Sequence, residues 1–259
     1  MQIITKNPVF FTYAVTFGFL LGSTAMTFLE SLYIKPAKNS SYSYLASALM
    51  IETGVNIVAG YFYYTFLQMI IQKNMTISEL GEATRGLRSL DWLITTPFML
   101  LSLMLYFMFN SECGEDCSKV NNLSKKDFWS YGAAIIGSDI LMILLGSDFV
   151  VSWLAMGSTG TWVLFLLSSG FFALIVVLLK IHFYDKSKTK YKTAVSALFL
   201  GTWGMYPVFR ILEMAQAAPA AVQIGYNILD LLSKGGFGIL IFVITTMYNF
   251  EDFSPAKSD

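Results

Sequence analysis

The sequence predicts an all-α membrane protein, a bundle of seven transmembrane helices. Three observations predict it. Of 259 residues, 55% are apolar and only 13% charged, with mean hydropathy +0.59, whereas soluble domains carry about 25% charged residues. Seven separate apolar stretches can be marked, each near the length of about 20 residues that a spanning helix needs. Basic residues between those stretches segregate to one side only if the count is seven. The length leaves no room for a separate soluble domain, so one domain, 1–259, is expected. Net charge is zero and no basic block is present, which argues against nucleic acid as a partner.

Taken in order, segment A is Phe10–Tyr33, which follows a start without a signal-peptide pattern and is expected to be retained. Segment B is Tyr44–Ile71 and carries Glu52. Segment C is Leu87–Phe109, and the longest connection, Asn110–Asp127, follows it. Segment D is Phe128–Leu145 and segment E is Val150–Leu179, with Gly146-Ser147-Asp148 as their only break. Segment F is Thr193–Leu212, and segment G is Ile224–Tyr248. Cys113 and Cys117 are the only cysteines, spaced too widely for a metal knuckle and without a second pair. They read as loop thiols, and no metal site is expected. The only histidine, His182, reads as solvated at a helix end.

Orientation comes from the loops. The A–B, C–D and E–F connections and the C-terminus carry Lys35, Lys38, Lys119, Lys125, Lys126, Lys180, Lys186, Lys188, Lys190, Lys192 and Lys257. The other side has Lys6, Lys73 and Arg85, with Arg88 and Arg210 near helix ends. The N-terminus is therefore expected outside and the C-terminus in the cytosol.

Ionisable groups inside the apolar runs are costly and point to function. Asp230 and Lys234 in segment G are spaced i,i+4, on one helical face. Alone, the pair reads equally well as a structural ion pair. A lysine amine held dry can also condense with an aldehyde to form a Schiff base. In segment C, Arg88, Asp91, Thr95 and Ser102 line one stripe, Ser102 lying ~16 Å beyond Asp91 along the axis. Asp91 and Asp230 together would keep a cationic nitrogen protonated. Pro97 predicts a kink or a loosened hydrogen bond in C. Trp203 and Tyr206 share a face of F beside Pro207. With Trp92, Met99, Met142 and Trp162 they predict a flat slot for a conjugated ligand, although such stripes are also ordinary helix packing.

Segment C reads Arg88-Ser-Leu-Asp91-Trp92-Leu-Ile-Thr95-Thr96-Pro97, F reads Trp203-Gly-Met-Tyr206-Pro207, and G reads Asp230-Leu-Leu-Ser-Lys234-Gly-Gly-Phe-Gly. In these motifs and in all seven segments the chain resembles the microbial (type 1) rhodopsins. The resemblance implies all-trans retinal as cofactor, bound as a Schiff base on Lys234. It implies Asp91 as primary counterion and proton acceptor, Asp230 as second counterion and Arg88 as an outward gate. Trp92, Thr96, Met99, Trp203, Tyr206 and Pro207 would surround the polyene. Asp139 matches a position near the ring end, and Tyr61 matches the segment B tyrosine near the counterions. An apolar Met99 implies green absorption.

The triplet Asp91-Thr95-Ser102 further resembles the Asp-Thr-Ser rhodopsins of giant viruses, which implies a host cell membrane. Related proton pumps carry a carboxylic acid, the internal proton donor, where this chain has Ser102. Of the paired release glutamates, one position is Val222, and Glu213 is the only acid left in the F–G turn. The expected function is a light-driven outward proton pump, not an enzyme. Glu52 or a water relay would replace the missing donor, and Glu30 would collect protons at the entrance. The alternative is a light-gated cation channel, with Ser102, Glu52, Glu30 and Asn227 lining a polar path. A photosensor coupled to a separate transducer is a third reading. Protons or monovalent cations, the lipid bilayer and further copies of the chain are the expected partners.

Overall fold

The computed structural model describes residues 8–33, 42–73, 76–109, 125–154 and 157–251. Cys113 and Cys117 lie outside these. Ten α-helices occur among the described residues: α1 (Pro8–Tyr33), α2 (Tyr42–Lys73), α3 (Ile77–Met108), α4 (Lys125–Gly146), α5 (Asp148–Trp153), α6 (Ser158–Leu179), α7 (Lys192–Trp203), α8 (Tyr206–Met214), α9 (Pro219–Asp230) and α10 (Phe237–Glu251). Two π-helical turns join them. Lys180–Tyr184 prolongs α6, and Leu231–Gly236 links α9 to α10. Joined in this way, the helices make seven rods long and apolar enough to cross a membrane. The rods pack in chain order from α1 to α6, and the last rod returns to pack on α1, α2 and α3. Outward faces expose Phe11, Leu21, Phe98, Leu166 and Val177, as lipid contact requires.

Four boundaries differ from the expectations. Segment C starts at Ile77 rather than Leu87. Thr76 caps the helix: its hydroxyl accepts from the Glu79 amide at 3.3 Å, and the Glu79 carboxylate accepts from the Thr76 amide at 2.8 Å. This capping box satisfies two orphan donors and starts the helix in polar sequence. Segment E divides, because α5 stands apart and the spanning helix begins only at Ser158. Segment F breaks at Gly204-Met205, just ahead of Pro207, whose missing amide cannot continue the α7 ladder. Segment G begins at Pro219, the first residue of α9, where a proline costs no hydrogen bond. By contrast α3 runs through Pro97 as one helix. His182 is not simply solvated: its ring stacks on Tyr131 at 3.5 Å between centroids.

Two buried clusters frame the interior. Val9, Tyr13, Leu20, Tyr63, Phe66 and Leu80 pack toward the start of α1. Met99, Leu103, Phe199, Trp203, Phe237 and Ile241 belong to the larger cluster, which continues toward the end of α3. Lys234 sits in the wide turn between α9 and α10. A side chain at Gly235 would strike the Phe19 ring at 2.6 Å, so glycine lets this turn close on α1.

Candidate functional site

The stripe on α3 and the pair on the last rod meet as their spacing suggests. Arg88, Asp91, Thr95, Ser102, Asp230 and Lys234 are all buried. Lys234 Nζ donates to Asp91 Oδ2 at 2.5 Å and lies 3.4 Å from Asp230 Oδ1.

The two carboxylates differ in what else they hold. Asp230 Oδ1 accepts from Tyr206 Oη at 2.7 Å and Trp92 Nε1 at 3.1 Å. Its Oδ2 accepts from Tyr63 Oη at 2.8 Å and Arg88 Nη1 at 3.3 Å. Asp91 has the lysine alone: its Oδ1 is buried with no partner. Thr95, on the same stripe, donates to the Asp91 backbone carbonyl at 2.7 Å, since a helical threonine reaches back one turn.

Arg88 is enclosed. Its Nη2 donates to Tyr13 Oη at 2.9 Å, Asn227 Oδ1 at 3.2 Å and Gln223 Oε1 at 3.3 Å. The guanidinium also lies 5.2–5.8 Å from the ring centroids of Tyr226, Phe66 and Tyr13. A small cavity lined by Arg88, Gln223, Arg85 and Glu213 lies beyond it. There Glu213 accepts from Arg85 at 3.1 Å and Arg210 at 2.7 Å, and Asp148 of α5 pairs with the same two arginines at 3.1 and 2.5 Å.

A second cavity starts at Lys234 and runs between α3, α4, α6 and the α7–α8 rod. Trp92, Thr96, Met99, Met142, Trp203, Tyr206 and Pro207, all expected here, line it. Trp92 stands edge-on to Tyr206 at 5.0 Å and Phe199 stacks on Trp203 at 4.4 Å, which fixes the aromatic walls. An amine at the closed end and flat apolar walls fit an aldehyde on a conjugated chain.

Three expected residues are elsewhere. Trp162 is 42% exposed and outside the cavity; one turn on, Phe165 points in, followed by Ser168, Ser169 and Phe172. Asp139 is buried but stands behind the wall, where its Oδ2 accepts from Thr96 Oγ1 at 2.7 Å. Tyr61 is 67% exposed; Tyr63, two residues on, is the tyrosine at the counterions. Alternate residues of a helix lie about 200° apart, so only one of them can face inward.

At the other end, Ser102 Oγ donates to the Ala48 carbonyl at 3.4 Å. Ser102 is within reach of the Glu52 carboxyl, but its hydroxyl is turned to that carbonyl. Tyr13, Gln223, Phe165 and Asp148 were not foreseen. Gln223 and Asn227 recur at −7 and −3 from Asp230, a register that marks them in the sequence. Among the described residues no group of three or more His, Cys, Asp or Glu is placed to hold a metal.

Residues 13–248 match the family described as bacteriorhodopsin-like protein. Cruxrhodopsin-3 of Haloarcula vallismortis is 25% identical over 196 residues, which cover 71% of this chain and 73% of that one. Among solved structures, xanthorhodopsin, described as a light-driven ion pump with dual chromophore, superposes with TM-score 0.72 at 22% identity, covering 95% and 94% of the two chains. A light-driven proton pump from Leptosphaeria maculans superposes with TM-score 0.65 at 19% identity, covering 92% and 96%.

Proposed function

This chain belongs to the bacteriorhodopsin-like protein family, whose members bind retinal through a lysine Schiff base, and from that premise we propose that it is a light-driven outward proton pump with Lys234 as the attachment point. The observation that carries the reading is the unequal company of the two carboxylates. Asp230 accepts from four donors besides the lysine, whereas Asp91 has one donor and an oxygen without a partner. Hydrogen bonds to an ionised carboxylate hold it ionised, so Asp91 is the group that gains most from a proton.

Bound at Lys234, retinal would supply light absorption and a change of shape that alters the proton affinity of the lysine nitrogen. The chain's own residues do the rest. A proton leaves Lys234 Nζ for Asp91 Oδ2 along the 2.5 Å contact. Asp230 stays charged and keeps Tyr63, Tyr206 and Arg88 in place. Arg88 turns toward the cavity lined by Gln223 and Glu213, and a proton departs on that side. Glu52 supplies the returning proton from the opposite side. The lysine-rich loops support that side as cytosolic and the N-terminus as outside. The Asp91-Thr95-Ser102 triplet supports a place among the giant-virus rhodopsins. The continuous cluster of Met99, Leu103, Phe199, Trp203 and Phe237 favours a pump over a passive pore, because it puts apolar packing where a channel needs water.

The test is illumination of unbuffered cells expressing the protein with retinal. Acidification of the medium that a protonophore abolishes is expected. A photocurrent that reverses with the cation gradient would instead identify a channel.

A further inference from the structure

Toward the lysine-rich side, the best-connected polar groups are not on α3. Glu52 of α2 is fully buried, both its carboxyl oxygens lack hydrogen-bond partners, and it makes no ion pair among the described residues. Asn56, one turn on and on the same face, also keeps its Oδ1 unpartnered. Its Nδ2 donates to the Glu52 backbone carbonyl at 2.8 Å and to Ser23 Oγ of α1 at 3.3 Å. Ser23 Oγ in turn donates to the Gly235 carbonyl at 3.1 Å, in the wide turn and one residue from Lys234. A polar seam therefore joins α2 to the lysine's own backbone through α1.

The seam is built, because the third rod to reach it gives way. A Cβ on Gly238 would come within 2.9 Å of Ser23 Oγ and 3.0 Å of Asn56 Nδ2, so any larger residue displaces the two groups. Leaving buried acceptors without donors is costly, which calls for a reason. A carboxyl with no cation beside it in dry surroundings carries its proton. That proton can be offered to the open Asn56 oxygen, on the same helical face at i,i+4.

We propose that Ser23 and Asn56 are positioning residues of the proton relay that refills the lysine nitrogen from Glu52, running along α1, α2 and the wide turn rather than along α3. The inference rests on the pump reading. In the step, the Glu52 O–H bond breaks and an N–H bond forms at Lys234 Nζ. Glu52 is left as a carboxylate and regains its proton from the cytosol. Asn56 aims the carboxyl and does not ionise, and Ser23 anchors Asn56 to the turn that carries Lys234.

The experiment uses the full chain with retinal in nanodiscs and has two readouts. In the dark, infrared spectroscopy should show a protonated carboxyl band that Glu52→Gln removes and Asn56→Leu shifts. After a flash, visible absorbance follows the return of the proton to the lysine nitrogen. Ser23→Ala and Asn56→Leu should slow that return by about a hundredfold, the low end of what a positioned proton-transfer group contributes. Ser23→Thr, which keeps the hydroxyl, should restore it, and azide, a small diffusible acid, should rescue Ser23→Ala and Asn56→Leu. Tyr61→Phe, on the outer face of the same helix as Asn56, should change the rate little.

The inference is overturned if Ser23→Ala and Asn56→Leu leave both readouts unchanged. Should Asn56→Leu fail to bind retinal, Asn56→Ser and Ser23→Ala decide the matter. A wild type that does not acidify the medium, with Ser23→Ala still slow, sinks the pump reading and keeps the relay. A wild type that pumps while the variants are unaffected does the reverse.

Discussion

Asp91 and Asp230 flank one ammonium nitrogen, yet Asp230 is held by four further donors and Asp91 by none. That asymmetry makes their substitutions separable. Asp91→Asn should abolish light-driven acidification while leaving a folded, coloured protein. Asp230→Ala strands Tyr63, Tyr206, Trp92 and Arg88 at once, and should destabilise by about 3–5 kcal/mol, as when one partner of a buried pair is removed. Thermal denaturation of the retinal-bound variants, followed by loss of colour, measures the difference.

Substitution of Tyr63 and Tyr61 by phenylalanine gives a local test of register. Tyr63→Phe removes a charge-assisted donor from Asp230 and should cost about 1.5–3 kcal/mol and shift the visible maximum. Tyr61→Phe, on the lipid face, should stay within about 0.5 kcal/mol of the parent with an unchanged spectrum. Equal effects of the two would contradict the inward placement of Tyr63.

On α6 the contrast lies between Phe165 and Trp162. Phe165→Ala opens the cavity wall and should shift the absorption maximum and slow colour formation on adding retinal. Trp162→Ala should leave both as they are, although it deletes the larger ring. Absorption titration with retinal checks the pair.

The four charges Arg85, Asp148, Arg210 and Glu213 link α3, α5 and α8. Because they share partners, their effects should not add. A double-mutant cycle of Arg85→Gln with Asp148→Asn should return a coupling of about 0.5–3 kcal/mol in thermal stability. High salt should weaken the term at the half-exposed Arg85 more than at Arg210. Strict additivity would mean the charges are independent.

Much of the site was legible because the sequence pays an obvious penalty there. A lysine and an aspartate inside an apolar run announce themselves, and Arg88, Asp91, Thr95 and Ser102 share a face by spacing alone. Trp162 and Phe165 could not be told apart in that way. Their rod is the most apolar of the seven and apolar all round, so no periodicity says which side faces the cavity. In α2 a mark was present: Tyr63 follows Glu52 at +11 and Asn56 at +7 on one helical face, and Tyr61 does not. The start of α3 was readable, since Thr76 and Glu79 spell a capping box, but hydropathy alone passes over a helix end that is polar. The tie between Asp148 and two arginines joins distant parts of the chain and leaves no local mark.

The π-helical turn at Leu231–Gly236 has a consequence for how the last rod tolerates change. A turn of this kind holds one residue more than its α-helical equivalent and so sets the phase between α9 and α10. Deleting one residue there would close the wide turn into an ordinary α-helical one and leave α10 in nearly its present phase, because the turn itself carries the surplus residue. Ile241 and Thr245 would go on facing the interior. What the deletion would disturb is Lys234, which sits inside the turn and holds its place between Asp91 and Asp230 by that local widening. The rod can therefore lose a residue at this point and keep its packing, but not its site.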